Sequence, residues 1–251
     1  LFLTYTLNVT GNLTIIILTF VDLHLKTPMY HFLQNVSFLE ISFTTACIPR
    51  YLYNIATGNK VITYNACVIQ VFFIDFFAVT EFFLLVAMSY DCYVAICKPL
   101  HYITIMSSRV CRIHIFCCWL AGLLVIIFPV ILGLNLKFYD SNFIDHSLCD
   151  AAPLLKISCS DTWPMEQAVL ICAVLTLSLT LMCVILSYII KTILGFPSIQ
   201  QRKKSREKRK KAFSTCSSHM IVVSITYGTC MFIYMNPTTK EVAINKVVSL
   251  L

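Results

Sequence analysis

The chain reads as an all-α membrane protein, a bundle of seven transmembrane helices with the seventh cut short. Three observations predict this. Of 251 residues, 58% are hydrophobic and only 12% charged, with a mean hydropathy of +0.80. Soluble domains carry about 25% charged and roughly 45–50% apolar residues. The apolar residues gather into blocks, and a block of about 20 is long enough to cross a bilayer as a helix. Finally, the basic residues fall unevenly when the intervening loops are assigned to alternate sides. One side collects thirteen (Lys26, Lys98, Arg109, Arg112, Lys191 and the eight between Arg202 and Lys211), the other six (Arg50, Lys60, Lys137, Lys156, Lys240 and Lys246). Cytoplasmic loops hold the excess of Lys and Arg, so the first residue faces outward. The net charge of +7 is concentrated in one loop, and no nucleic-acid partner is expected from it.

Taken in order, the first apolar block covers residues 1–21 and contains Gly11-Asn12. Asn8, Asn12 and Asn35 each sit in an Asn-x-Ser/Thr pattern, but inside apolar spans that the glycosylation machinery does not reach. A second span covers 29–53, with Pro49 expected to kink its outer end and Glu40 in its middle, where a carboxylate needs a partner or water. The third covers 65–97 and carries Asp75 and Glu81, six residues apart and so on different faces at about 100° per residue. Its inner mouth holds Asp91 before Pro99 stops the helix. Arg109 and Arg112 precede a fourth span, 113–134, with Trp119 and Pro129. A polar stretch follows, residues 135–165, with four Asp, His146, Cys149 and Cys159. The fifth span covers 166–194, the sixth 212–235 after the basic loop, and a partial seventh 242–251. All belong to one domain, 1–251. The chain lacks an initiator Met and a cleavable signal peptide, and it starts and stops inside apolar runs, so both ends read as trimmed.

Thirteen Cys are scattered, many inside apolar blocks, where a thiol behaves as a small hydrophobe. No metal-binding C-x-x-C pair, cofactor motif or nucleophile–base arrangement is present, so neither an enzyme nor a resident metal or cofactor is expected. A transporter or channel is a further alternative, but no inverted repeat of the kind common in transporters is found.

Four stretches together carry a resemblance. Met88-Ser89-Tyr90-Asp91-Cys92-Tyr93-Val94-Ala95-Ile96-Cys97 closes the third span. Leu23-His24 with Thr27-Pro28-Met29-Tyr30 opens the second. His146-Ser147-Leu148-Cys149-Asp150 and residues 153–162 lie in the long outer loop. Lys211-Ala212-Phe213-Ser214-Thr215-Cys216-Ser217-Ser218-His219 opens the sixth span. The chain resembles the olfactory receptors among the rhodopsin-like G-protein-coupled receptors, over essentially its whole length. That resemblance implies a multi-pass plasma-membrane receptor for small, mostly apolar odorants, coupled to a heterotrimeric G protein of the olfactory stimulatory type. It implies a disulfide between Cys67 and Cys149. It implies a ligand pocket from Ile74, Asp75, Ala78 and Val79 on the third span, Cys172 and Thr176 on the fifth, and Tyr227, Cys230, Met231 and Tyr234 on the sixth. It places the coupling and switch residues at Asp91, Cys92, Tyr93, Tyr188, Lys211 and His219, and a sodium-site-like pair at Asn12 and Glu40.

Three departures stand against the family pattern. Cys92 occupies the position of an Arg, whose five donors in a rigid fork a short neutral thiol does not replace. Asp91, without that neighbour, is expected to take solvent or Tyr102. Tyr139 stands where a Cys is expected, which leaves Cys159 a free thiol. About six extra residues lengthen the basic loop. That loop reads as a site for anionic inner-leaflet lipid, a G-protein contact, or a solvated charge run. The alternative to a signalling receptor is therefore a degenerate copy that folds but couples poorly. The topology is tested directly: a protease site inserted into the loop at residues 202–211 is expected to resist protease added to intact cells, and cleavage from outside would reverse the orientation.

Overall fold

The computed structural model describes residues 2–22, 28–58, 61–97, 101–134 and 143–145, together with Ile221 and Ile225. Within them lie four long helices: α1 (Phe2–Val21), α2 (Pro28–Thr57), α3 (Tyr64–Cys97) and α5 (Ser108–Leu134). A single turn, α4 (Tyr102–Ile105), bridges α3 and α5. Two short strands, β1 (Val61–Thr63) and β2 (Phe143–Asp145), complete the described elements. The fifth to seventh expected spans and the basic loop lie outside the described residues.

Three of the helices are long and apolar enough to cross a membrane: Phe2–Val21, Asn65–Ala95 and Ser108–Leu132. α2 is longer than α1 but more polar, with Gln34, Asn35 and Glu40 in its body and Arg50 near its end. It is placed between α1 and α3 and packs on both, so part of its surface meets protein rather than hydrocarbon. The hydroxyls of Thr6, Thr10 and Thr14 on α1 donate to carbonyls one turn back, at 2.9, 2.7 and 2.7 Å. Ser42 and Thr44 on α2 do the same at 2.8 and 2.7 Å, which satisfies each hydroxyl inside its own helix.

The helix ends differ from the sequence reading for local reasons. α2 continues past Pro49 through Thr57, because a helix in this setting tolerates one missing donor. It stops at Gly58, whose φ of 67° turns the chain left-handed while its N–H donates to Asn54 O at 3.0 Å. α5 begins at Ser108, five residues ahead of the expected 113, since Ser107 caps it: the Val110 N–H reaches Ser107 Oγ at 3.4 Å and the Cys111 N–H reaches Ser107 O at 3.0 Å. Arg109 and Arg112 therefore ride on the helix rather than in the loop, and both are exposed. The strands were not legible either. They pair antiparallel, Val61 with Asp145 and Thr63 with Phe143.

The core sits toward the α4 end of the bundle. Phe32 and Leu39 of α2, Leu84, Ala87, Met88 and Val94 of α3, Met106 after α4, and Cys111 and Cys118 of α5 form one buried cluster. Trp119 joins three helices. Its indole N–H donates to Asn35 Oδ1 at 3.4 Å, and its ring lies 6.1 Å from Phe38 and 5.6 Å from Phe76. Nearby, α3 and α5 approach so closely that a Cβ on Gly122 would strike the Thr80 hydroxyl and stand 3.2 Å from the Thr80 Cα and Cβ. Thr80 is fully buried. Gly122→Ala is expected to cost about 1–3 kcal/mol by overpacking, read as a lower thermal midpoint of the purified protein. Adding Thr80→Ala, which removes the obstructing hydroxyl but keeps Cα and Cβ, should recover part of the loss.

Candidate functional site

The end of α3 nearest α4 carries the clearest polar constellation. A 34-residue helix is about 51 Å long at about 1.5 Å per residue, well beyond the roughly 30 Å hydrocarbon core, so its last turns extend out of it. Asp91 lies there, 3% exposed. The Tyr102 hydroxyl donates to Asp91 Oδ1 at 2.9 Å. Of the two partners expected for Asp91, solvent or Tyr102, it is Tyr102 that holds it. Burial first, and then the adjacent Asp91 carboxylate, push the Tyr102 phenol above its ordinary range. It therefore stays an O–H donor at every physiological pH.

α4 delivers that phenol. Its turn is closed by Ile105 N–H to His101 O at 3.0 Å and Met106 N–H to Tyr102 O at 2.8 Å. Met106, 1% exposed, anchors it in the core. Cys92 is also buried, 5% exposed, and it and Cys111 both lie within electrostatic reach of Tyr102. Neither is in a disulfide. Tyr93 packs against the core, and Tyr90 stacks on His114 of α5 with centroids 5.9 Å apart. The rest of the expected coupling set, Tyr188, Lys211 and His219, lies outside the described residues.

A second constellation sits in mid-bundle. Glu40 of α2 hydrogen-bonds the Asn8 side chain of α1. Asn12 in turn donates to Asn8 Oδ1 and Asn8 O, both at 3.1 Å. The sequence reading paired Glu40 with Asn12 and took Asn8 only as a glycosylation pattern. The spacing of four between Asn8 and Asn12, which puts both on one helix face, was the signal available. Glu81 of α3 lies within electrostatic reach of Glu40, a neighbour that no local pattern indicates.

Toward the other end of α3, the expected pocket residues Ile74, Asp75, Ala78 and Val79 are all half-buried. Asp75 lies within electrostatic reach of the Cys47 thiol across the α2–α3 seam. Cys67, 1% exposed, is disulfide-bonded. Its expected partner Cys149 lies outside the described residues, as do Cys172, Thr176, Tyr227, Cys230, Met231 and Tyr234.

Tyr102→Phe removes the hydroxyl that donates to the buried Asp91 oxygen. A buried acceptor left unmet costs about 1–3 kcal/mol, more when charged. The variant is expected to unfold at a lower temperature than the parent, and Asp91→Asn in the same background should recover part of that stability by removing the stranded charge.

The comparisons with known proteins agree with this architecture. A family model described as olfactory receptor matches residues 1–248. The chain is 67% identical to human olfactory receptor 6C2, 65% to human olfactory receptor 6C68 and 62% to human olfactory receptor 6C76. In each case the whole of this chain is aligned with 79% of the relative's length. The chain belongs to the olfactory receptor family, and its helices are those of a seven-span membrane bundle.

Proposed function

We propose that this protein is an odorant receptor of the plasma membrane that detects small, mostly apolar organic molecules and acts through a heterotrimeric G protein of the olfactory stimulatory type. The observation that carries this reading is the sealed Asp91–Tyr102 pair below α3, in a chain that belongs to the olfactory receptor family. The ligand site is the outer half of the bundle, with Ile74, Asp75, Ala78 and Val79 contributed by α3, Cys172 and Thr176 by the fifth span, and Tyr227, Cys230, Met231 and Tyr234 by the sixth. A mostly apolar lining with a few polar groups suits such ligands. Cys149 is the partner of Cys67, and the first residue faces outward. The pairing of β1 with β2, which joins the segments just before each of these cysteines, supports that bridge. The Glu40 region acts as a sodium-site-like centre with Asn12. Asn8, which hydrogen-bonds Glu40, and Glu81, which lies within electrostatic reach of it, join that centre in this reading. The basic loop lies in the cytoplasm against anionic lipid and the G protein.

Cys92 favours a second reading, that of a receptor which folds and binds but couples weakly. Activation opens an inner crevice, and a ligand drives this only through its different affinity for the two states. An Arg at this position contacts the sixth span at rest and the G protein when active. A buried thiol held beside Tyr102 supplies neither contact. A charge-assisted bond is worth about 1.5–3 kcal/mol, which corresponds to a loss of about tenfold to hundredfold in coupling affinity. Extra opening without a docking contact yields no output. The unmodified receptor is therefore expected to give weak or absent odorant-driven cyclic-AMP production, and Cys92→Arg at matched surface expression to restore it. Equal responses from the two would defeat this account of Cys92 while leaving the odorant-receptor reading in place.

A further inference from the structure

A groove of about 610 Å³ runs between α2 and α3 on the Arg50 side of the bundle. On α2, the residues lining it centre about 180° from Glu40, taking about 100° per residue. On α3 they centre about 180° from Asp75. The groove therefore opens away from the face where Glu40 meets Asn8 and away from the α3 face that bears Asp75. Two of its walls, Ile69 and Phe73, are 57% and 43% exposed. Its floor is closed by an interhelical bond, Gln70 Nε2–H to Ala46 O at 2.9 Å. Small side chains at Ala46 and Ala66 make the room.

Length and charge indicate what fills it. The α3 lining runs from Ala66 to Phe77, about 16 Å of helix, which matches the depth of one leaflet of a roughly 30 Å hydrocarbon core. Arg50 stands at one end. Its guanidinium lies over the ring of Tyr53, 5.6 Å from the centroid, and Tyr53 is half exposed. An Arg and a Tyr together are anchors typical of the membrane–water interface. The groove thus pairs a cation, Arg50, with an apolar slot about as long as one leaflet is deep.

We propose that this α2–α3 groove is a specific phospholipid site, with one acyl chain lying along Phe73 and Phe77 and the phosphate on Arg50. The site is separate from the ligand pocket and independent of whether the receptor signals; it requires only that the bundle sits in a bilayer. A bound lipid would brace the α2–α3 seam along the face opposite Asp75.

The test uses the receptor in phosphatidylcholine nanodiscs doped with a phosphatidylcholine bearing a mid-chain diazirine, and in parallel with a diacylglycerol bearing the same chain. After irradiation, mass spectrometry compares labelling of residues 66–77 with that of the exposed α5 face around Phe116 and Leu124, which reports bulk lipid. Labelling of residues 66–77 is expected to exceed that of α5 at low probe fraction. Ala66→Leu should lower it about tenfold without changing α5. Arg50→Gln should lower it by about tenfold for the phosphate-bearing probe only, as the loss of one charge-assisted contact predicts. Should Ala66→Leu not assemble in nanodiscs, Ala46→Leu fills the same space and Arg50→Gln leaves it open. The proposal is overturned if the two faces label alike and neither substitution matters, which is unselective boundary lipid. It is equally overturned if the groove crosslinks to a second receptor copy instead of lipid, or if Arg50→Gln affects both probes equally.

Discussion

Hydrocarbon offers no hydrogen bonds, so each polar group on these helices has to find its partner within the protein. Most of the described polar groups do so, at three scales, while the buried Thr80 hydroxyl opposite Gly122 has no hydrogen-bond partner among the described residues. Single hydroxyls fold back on their own helix, as along the threonines of α1. Pairs of helices share an amide or an indole, as Gln70 does with Ala46 and Trp119 with Asn35. The carboxylates are the costliest groups, and they recruit whole elements: Glu40 draws α1 to α2 through Asn8, and Asp91 draws α4 under α3 through Tyr102.

α3 is where these demands meet. It packs against α2 along one side and α5 along another. It carries Asp75, Glu81 and Asp91 within one continuous rod. The seam with α5 is tight because Gly122 leaves room for Thr80, and any tilt of α3 is resisted there. The core is densest near Asp91, where Met106 and Cys111 close in from α4 and α5. Rigid packing at that end gives the short loop helix a fixed place, so the Tyr102 phenol meets Asp91 by construction rather than by chance encounter.

Cys92 belongs in that setting. It is buried beside a satisfied carboxylate, and the local fold accepts it without disturbing the Asp91–Tyr102 bond. The position at which the resemblance implies an Arg is thus filled by a buried residue compatible with the structure. A small thiol of this kind behaves as a minor hydrophobe in a core, and Cys92 sits in one, 5% exposed.

Much of the architecture was legible because hydrophobic length and charge placement are one-dimensional quantities. Four long helices are described, with ends set by local caps rather than by the apolar runs alone, and the motifs around Asp91 and Thr27-Pro28-Met29-Tyr30 pointed to the family that the comparisons show. Tyr102 was legible as a partner because only eleven residues separate it from Asp91 and a proline forces a turn between them. What the sequence did not reveal depends on which faces of distant helices meet. Asn8 reaching Glu40, Glu81 lying within electrostatic reach of Glu40, Gly122 admitting Thr80, the β1–β2 pairing and the groove below Arg50 all join residues far apart in the chain. The sequence by itself determined that these segments enter the membrane as helices, because burying backbone in lipid leaves no other choice. Only the tertiary structure decided which polar groups satisfy one another, because that depends on helix rotation and crossing, which side-chain packing sets.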